Sequence, residues 1–201
     1  MKTLLSLILV ILISVTTEAA LVCHHCESFL TSTCISLTSE TCPTDVTKCY
    51  ANVIMEKIGP LTLYQSSKGC QRGKDLCASN YDMAMGAIEA HSRVKCCEGD
   101  NCNTESPQIV IPDNLKENGV ECPACAEKGK SCTSEKIHKC TGNLDQCFSL
   151  IGGIYNGIAG GFSDWTFKGC INKEVCDYIE THGGFDIPYL DKSSKLQCTK
   201  K

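Results

Sequence analysis

The chain has little of what enzymes, nucleic-acid binders and membrane proteins are built from. One tryptophan stands in 201 residues, and aromatic side chains make up only 6%. Positive charge is not in surplus: 19 Lys and Arg face 23 Asp and Glu, a net charge of −4, so the basic footprint of a nucleic-acid binder is missing. No Asn-x-Ser/Thr sequon occurs, since Asn103 is followed by Thr104 and Glu105, and N-glycosylation is not expected. GxSxG, HExxH and phosphate-cradling loops are also absent. Gly152, Gly153, Gly157, Gly160 and Gly161 lack GxGxxG spacing before a helix and read as a flexible hairpin tip. Catalysis is therefore not expected. A long apolar run is missing too: Leu4 to Val15 is shorter than the roughly 20 residues that cross a bilayer, and no second run follows. The polar, lysine-rich stretch from Lys192 to Lys201 offers no glycolipid-anchor signal, so no membrane anchor is expected.

What the chain has in abundance is cysteine. Eighteen cysteines amount to about nine per cent, the density of a disulfide scaffold. The N-terminus agrees with an oxidising compartment. Lys2, the apolar run and the small residues at Thr17 and Ala19 read as a secretory signal over residues 1–19, predicting a secreted, extracellular protein. Removing it takes away Lys2 and Glu18, leaving the net charge at −4.

The cysteines fall into two registers. From Cys23 the gaps hold 2, 7, 7, 6, 20, 6, 18, 0 and 4 residues; from Cys122 they hold 2, 6, 7, 6, 22, 5 and 21. Lys68-Gly69-Cys70 answers Lys168-Gly169-Cys170, and each register opens with CxxC. Such an internal repeat predicts two homologous modules, over residues 20–103 and 122–201, joined by a linker over 104–121. The CxxC pairs have zinc-knuckle spacing, but zinc needs thiolates, and an even number of cysteines in a secreted chain favours disulfides. His24, His25, His91, His138 and His182 form no convincing ligand cluster. No metal or cofactor is expected. Modules this small bury little core, and bridges closing loops of about 15 residues or more each contribute on the order of 3 kcal/mol.

Between the cysteines the chain reads as strands. Tyr50 to Glu56 and Leu61 to Gln65 flank the turn residues Gly59-Pro60; Phe148 to Tyr155 and Phe162 to Phe167 flank Asn156-Gly157. Each module thus has a long central hairpin, and the segments Cys26–Cys42 and Cys77–Cys96 predict a shorter hairpin on each side of the first one.

The pattern CxxC, a middle pair, a hairpin ending in KGC and a terminal CCxxxxCN resembles the three-finger module of the urokinase-receptor and lymphocyte-antigen superfamily. The resemblance implies an all-β, disulfide-rich fold of two tandem three-finger domains. It also implies the pairing: Cys23 with Cys49, Cys26 with Cys34, Cys42 with Cys70, Cys77 with Cys96 and Cys97 with Cys102. In the second module it implies Cys122 with Cys147, Cys125 with Cys132, Cys140 with Cys170 and Cys176 with Cys198. Asn103 would hydrogen-bond backbone in the palm from which the fingers project. Thr199 stands where the doublet's second cysteine would be, so the terminal loop is missing from module two.

Two modules behind a signal peptide are similar to the gamma-type phospholipase A₂ inhibitors of snake plasma and, equally, to sodefrin-precursor-like courtship factors. The resemblance implies a non-enzymatic module that binds a protein: a secreted phospholipase A₂, or alternatively a cell-surface receptor addressed by a secreted signal. Self-association as a homo-oligomer stays open. Candidate contacts are apolar residues with backbone freedom. They are Tyr155, Phe162 and Trp165 in the central finger of module two, and Ile109 and Ile111, with Val110, in the linker. Met83 and Met85 in the third finger of module one are further exposed-apolar candidates. The linker triad is also expected to seal the joint between the modules.

Overall fold

The computed structural model describes residues 20–72, 76–78, 80–156, 161–183, 190–191 and 193–199, with the backbone alone for Tyr155 and Asn156. Residues 1–19, expected to be a secretory signal, and the glycines Gly157 and Gly160 lie outside them. Eleven strands and one helix of more than one turn make up the described fold. Module one holds β1 (Val22–Phe29), β2 (Thr38–Thr41), β3 (Cys49–Ile58), β4 (Leu61–Cys70), β5 (Tyr81–Met85) and β6 (Ile88–Cys97). Module two holds β7 (Glu117–Lys128), β8 (Lys136–Thr141), β9 (Gln146–Asn156), β10 (Gly161–Ile171), α1 (Lys173–His182) and β11 (Lys195–Thr199).

The central fingers are long antiparallel hairpins in unbroken register, β3 with β4 from Cys49↔Cys70 to Ile58↔Leu61 and β9 with β10 from Gln146↔Ile171 to Asn156↔Gly161. In each, cysteines pair at or next to the palm end and the tip carries the turn residues. The first finger lies against the returning strand, β1 on β4 and β7 on β10. The third finger's last strand lies against the outgoing one, β6 on β3 and β11 on β9. The two modules therefore share one strand plan.

Nine disulfides tie the palm: Cys23–Cys49, Cys26–Cys34, Cys42–Cys70, Cys77–Cys96, Cys97–Cys102, Cys122–Cys147, Cys125–Cys132, Cys140–Cys170 and Cys176–Cys198. The two bridges at the base of each module touch: Cys23 Sγ lies 3.3 Å from Cys42 Sγ, and Cys140 Sγ lies 3.4 Å from Cys122 Sγ. These sulfurs are the centre of a small buried cluster in each module and stand in for a larger aliphatic core. Asn103 locks the first palm. Its amide donates to the carbonyls of His24 (2.9 Å) and Tyr50 (2.8 Å), and its oxygen accepts from the His24 N–H at 3.0 Å. Three backbone groups that would otherwise be orphaned are satisfied by one side chain that is itself buried.

Module two departs from module one at its third finger. Where module one has β5, module two has helix α1. Asn172 precedes it in an extended conformation, Lys173 pairs with Asp177 one turn on, and Gly183 ends it at φ +70° with its N–H on the Ile179 carbonyl. Val175, Cys176 and Ile179 form the inward stripe, with Val175 and Cys176 buried. No helix among the described residues is long and apolar enough to cross a membrane.

Candidate binding surfaces

The modules are joined through a seam that the linker does not supply. Strand β5 adds to the palm end of β10, with Ala84 opposite Cys170 and Met83 opposite Ile171. Two further hydrogen bonds extend it: Asn172 N–H to the Asp82 carbonyl (3.2 Å) and Asp82 N–H to Asn172 Oδ1 (2.8 Å). The pairing needs a residue without Cβ at 169, because a Cβ there would lie 1.9 Å from the Ala84 carbonyl oxygen. Around the seam one apolar cluster draws on both modules, with Tyr81, Met83 and Met85 from β5 packed on Phe148, Leu150, Ile171, Val175 and Cys176. Met83 and Met85, read as exposed candidates, are 3% and 9% exposed and belong to this core.

The expectation that Ile109, Val110 and Ile111 seal the joint is corrected in the same way. Ile109 and Ile111 are half-buried and Val110 is exposed, and none of the three joins a described core cluster. The linker instead leaves module one along the side of Lys68 and Lys95, whose ammonium groups reach the Thr104 carbonyl and the Glu105 carboxylate. Lys68 is buried with that carbonyl as its acceptor, and desolvation lowers its pKa.

A charged cluster backs the seam strand. Asp82 receives Arg93 on both oxygens (2.8 and 3.0 Å) and has His91 Nδ1 at 2.8 Å. Burial opposes the carboxylate charge, but the hydrogen bonds from His91 and Arg93 outweigh it and bring its pKa down to about 2.

In the central finger of module two, Trp165 and Phe167 project from the same face of β10 and stack, with centroids 5.8 Å apart and planes within 8°. Phe167 rests on the seam core, so the indole is braced from beneath and half-buried. Phe162 is 56% exposed nearer the tip. Tyr155 pairs with Phe162 through its backbone, and its side chain lies outside the described residues. The structure thus keeps Phe162 and Trp165 on one strand three residues apart and leaves Ile109 and Ile111 on a separate segment.

The larger apolar exposure lies elsewhere, at the tips of the first two fingers of module one. Phe29, Leu30, Ile35, Leu37, Ile58 and Leu61 account for six of the eleven large apolar residues exposed among those described. Sequence reasoning passed over them. A signal was available: the Cys26–Cys34 bridge closes a loop too short to fold Phe29 and Leu30 back onto a core.

Comparison with known proteins agrees with this architecture. The chain is 32% identical over 135 residues to the gamma subunit of a phospholipase A2 inhibitor from Gloydius brevicaudus siniticus, covering 64% of this chain and 66% of that protein. It is 32% identical over 124 residues to the phospholipase A2 inhibitor NAI of Notechis ater, covering 60% of each. It is 24% identical over 179 residues to the Ly6/PLAUR domain-containing protein 8 of Bos taurus, covering 87% of this chain and 74% of that protein. The match spans just under two thirds of the two inhibitors' length. With the u-PAR/Ly-6 domain matched over residues 19–105 and again over 118–199, the chain belongs to that family and carries its domain twice.

Proposed function

We propose that this protein is secreted behind residues 1–19 and acts as a non-enzymatic inhibitor that occludes a secreted phospholipase A₂. The observation that carries the reading is the set of relatives named as phospholipase A2 inhibitors, at about 30% identity. The architecture is compatible with it. An occluding protein must cover an apolar rim with apolar residues of its own, and bridged fingers hold such residues at small ordering cost. In module two the proposed contact is centred on the face of β10 that carries Trp165; Phe162, paired with Tyr155, belongs to the opposite face of the finger, and Ile109 and Ile111 offer separate contacts on the linker. Binding is reversible and stoichiometric, and it requires intact disulfides.

The test titrates oxidised protein against a panel of secreted phospholipases on mixed micelles. Inhibition that saturates at a fixed molar ratio and disappears on reduction supports the reading. Trp165→Ala should weaken binding by about 1–3 kcal/mol. An unaffected panel, together with saturable binding to receptor-bearing cells, would replace it with the signalling alternative.

A further inference from the structure

Leu30 combines two costs, one of backbone conformation and one of exposure. It sits at φ +68°, a region that L residues with bulky side chains avoid, and its side chain is 72% exposed. The other non-glycine residue with positive φ among those described is Asn101, a type that tolerates it. Leu30 is held there by its N–H on the Tyr64 carbonyl at 2.7 Å and by the Cys26–Cys34 bridge around the loop. Strain of this kind, maintained to present an apolar side chain to water, points outward to a partner.

A second anomaly lies on the same sheet. Glu56 pairs with Leu63 across β3 and β4, and Leu30 bonds next door at Tyr64, which puts the two residues about 10 Å apart, or two strand spacings. The Glu56 side chain is mostly out of water, yet it has no hydrogen bond or ion pair among the described residues, and desolvation raises its pKa. Around it stand Ile58 and Leu61, which close the finger tip, and Ile88, which packs against the seam core. The exposed patch is therefore continuous with an interface already buried. The unpaired charge nearby is acidic: Glu27 lies three residues before Leu30 on β1, while Glu89 and Lys57 form an ion pair at 3.9 Å.

We infer that the tips of the first two fingers of module one form a second docking surface, in which Leu30 enters an apolar depression on a basic partner protein and Glu56 receives its Lys or Arg side chain. This rests on the reading of the partner as a secreted phospholipase, and it adds that the enzymes bound are the basic ones. The unpaired Glu27 and the desolvated carboxylate of Glu56 fit a cationic protein surface. They do not fit a lipid bilayer, whose anionic head groups Glu27 and Glu56 would repel.

The experiment measures binding of the oxidised full chain to basic and acidic secreted phospholipases by calorimetry without lipid. Leu30→Asn, which suits positive φ, and Glu56→Gln are compared with Trp165→Ala. Vesicles of phosphatidylcholine, with and without phosphatidylserine, form a separate arm. Basic enzymes should bind at least tenfold more tightly than acidic ones. Each module-one variant should lose at least tenfold in affinity for them, with thermal stability undiminished. Binding that Trp165→Ala weakens and both module-one variants leave intact overturns this inference while the phospholipase reading stands. Absence of binding to every enzyme removes that reading, and this inference with it. Vesicle binding lost in Leu30→Asn but kept in Glu56→Gln, without enzyme binding, overturns it in favour of a lipid surface.

Discussion

Gly169→Ala offers a direct test of how the two modules hold together. The added methyl would lie 1.9 Å from the Ala84 oxygen, 2.9 Å from its carbonyl carbon and 3.1 Å from the Met85 Cα, all backbone atoms of β5. No side chain can swing aside to relieve this, so β5 and β10 must separate by more than 1 Å, roughly the gap between that contact and an ordinary one. Separation breaks the hydrogen bonds around Ala84, Asp82 and Asn172, and at about 1 kcal/mol each they amount to about 2–4 kcal/mol. Partial exposure of Tyr81, Met83 and Met85 adds about 1–3 kcal/mol. Because the disulfides lie within each module, the loss should fall on the coupling between modules and leave each one folded. Small-angle scattering should show a larger particle, and amide exchange should rise at Ala84 and Asn172. The matching position in module one provides the control: a Cβ at Gly69 meets only side-chain atoms of Glu40, Tyr50 and His25, at 3.0 Å or more, so Gly69→Ala should cost about 1 kcal/mol or less. Equal melting temperatures for the two variants, with unchanged scattering for Gly169→Ala, would refute the strand-addition account of the seam.

Asn103→Ala should lower the stability of module one by about 2–4 kcal/mol in chemical denaturation, since it leaves the His24 and Tyr50 backbone groups unpaired in a buried site. The charged cluster behind the seam strand should also respond to acid. Asp82 has a folded pKa of about 2 against 3.8, so its stabilisation is complete above pH 4 and is lost as pH falls from about 4 to 2, by about 2 kcal/mol. Chemical denaturation of module one across that range should show the loss, and Asp82→Asn should remove the dependence. Met83→Ala should destabilise the assembled pair by about 2–5 kcal/mol, and a fluorescence melt in which it matches the wild type would contradict the burial of that side chain.

The tandem three-finger plan was legible because its determinants are local. Cysteine spacing, the KGC strand end at each palm and the β-branched runs on either side of Gly59-Pro60 all act within one hairpin. The seam was not, because β5 meets β10 about 85 residues away and no pattern inside Tyr81–Met85 names its partner. Read alone, Met83 and Met85 look like a greasy finger tip; opposite Ile171 and Val175 they become core. Helix α1 had signals in the sequence, Asn172 before it and Gly183 after it, but the cysteine register suggested a hairpin there. Of the candidate contacts, Trp165 and Phe167 on one face followed from strand alternation. The exposure of Leu30 depends on a single positive φ that sequence patterning does not report.

The substitution of α1 for a strand also bears on how far this architecture can grow. Strand β5 presents its edge to the next module in line, and a chain repeating that device would offer another open edge at every step. Head-to-tail pairing of this kind does not close on itself, and it carries the hazard of unlimited filament growth. Among the described residues module two has no strand equivalent to β5: helix α1 satisfies its own backbone there, and β11 is left as the edge of the sheet. The second repeat thus does not hand on the strand by which the first one docks, a difference of the kind that sets capping units of a solenoid apart from its inner repeats. The order of the two repeats is then not interchangeable: exchanging them would leave β5 exposed as a sticky, unpaired rim and bring two surfaces together that cannot pair.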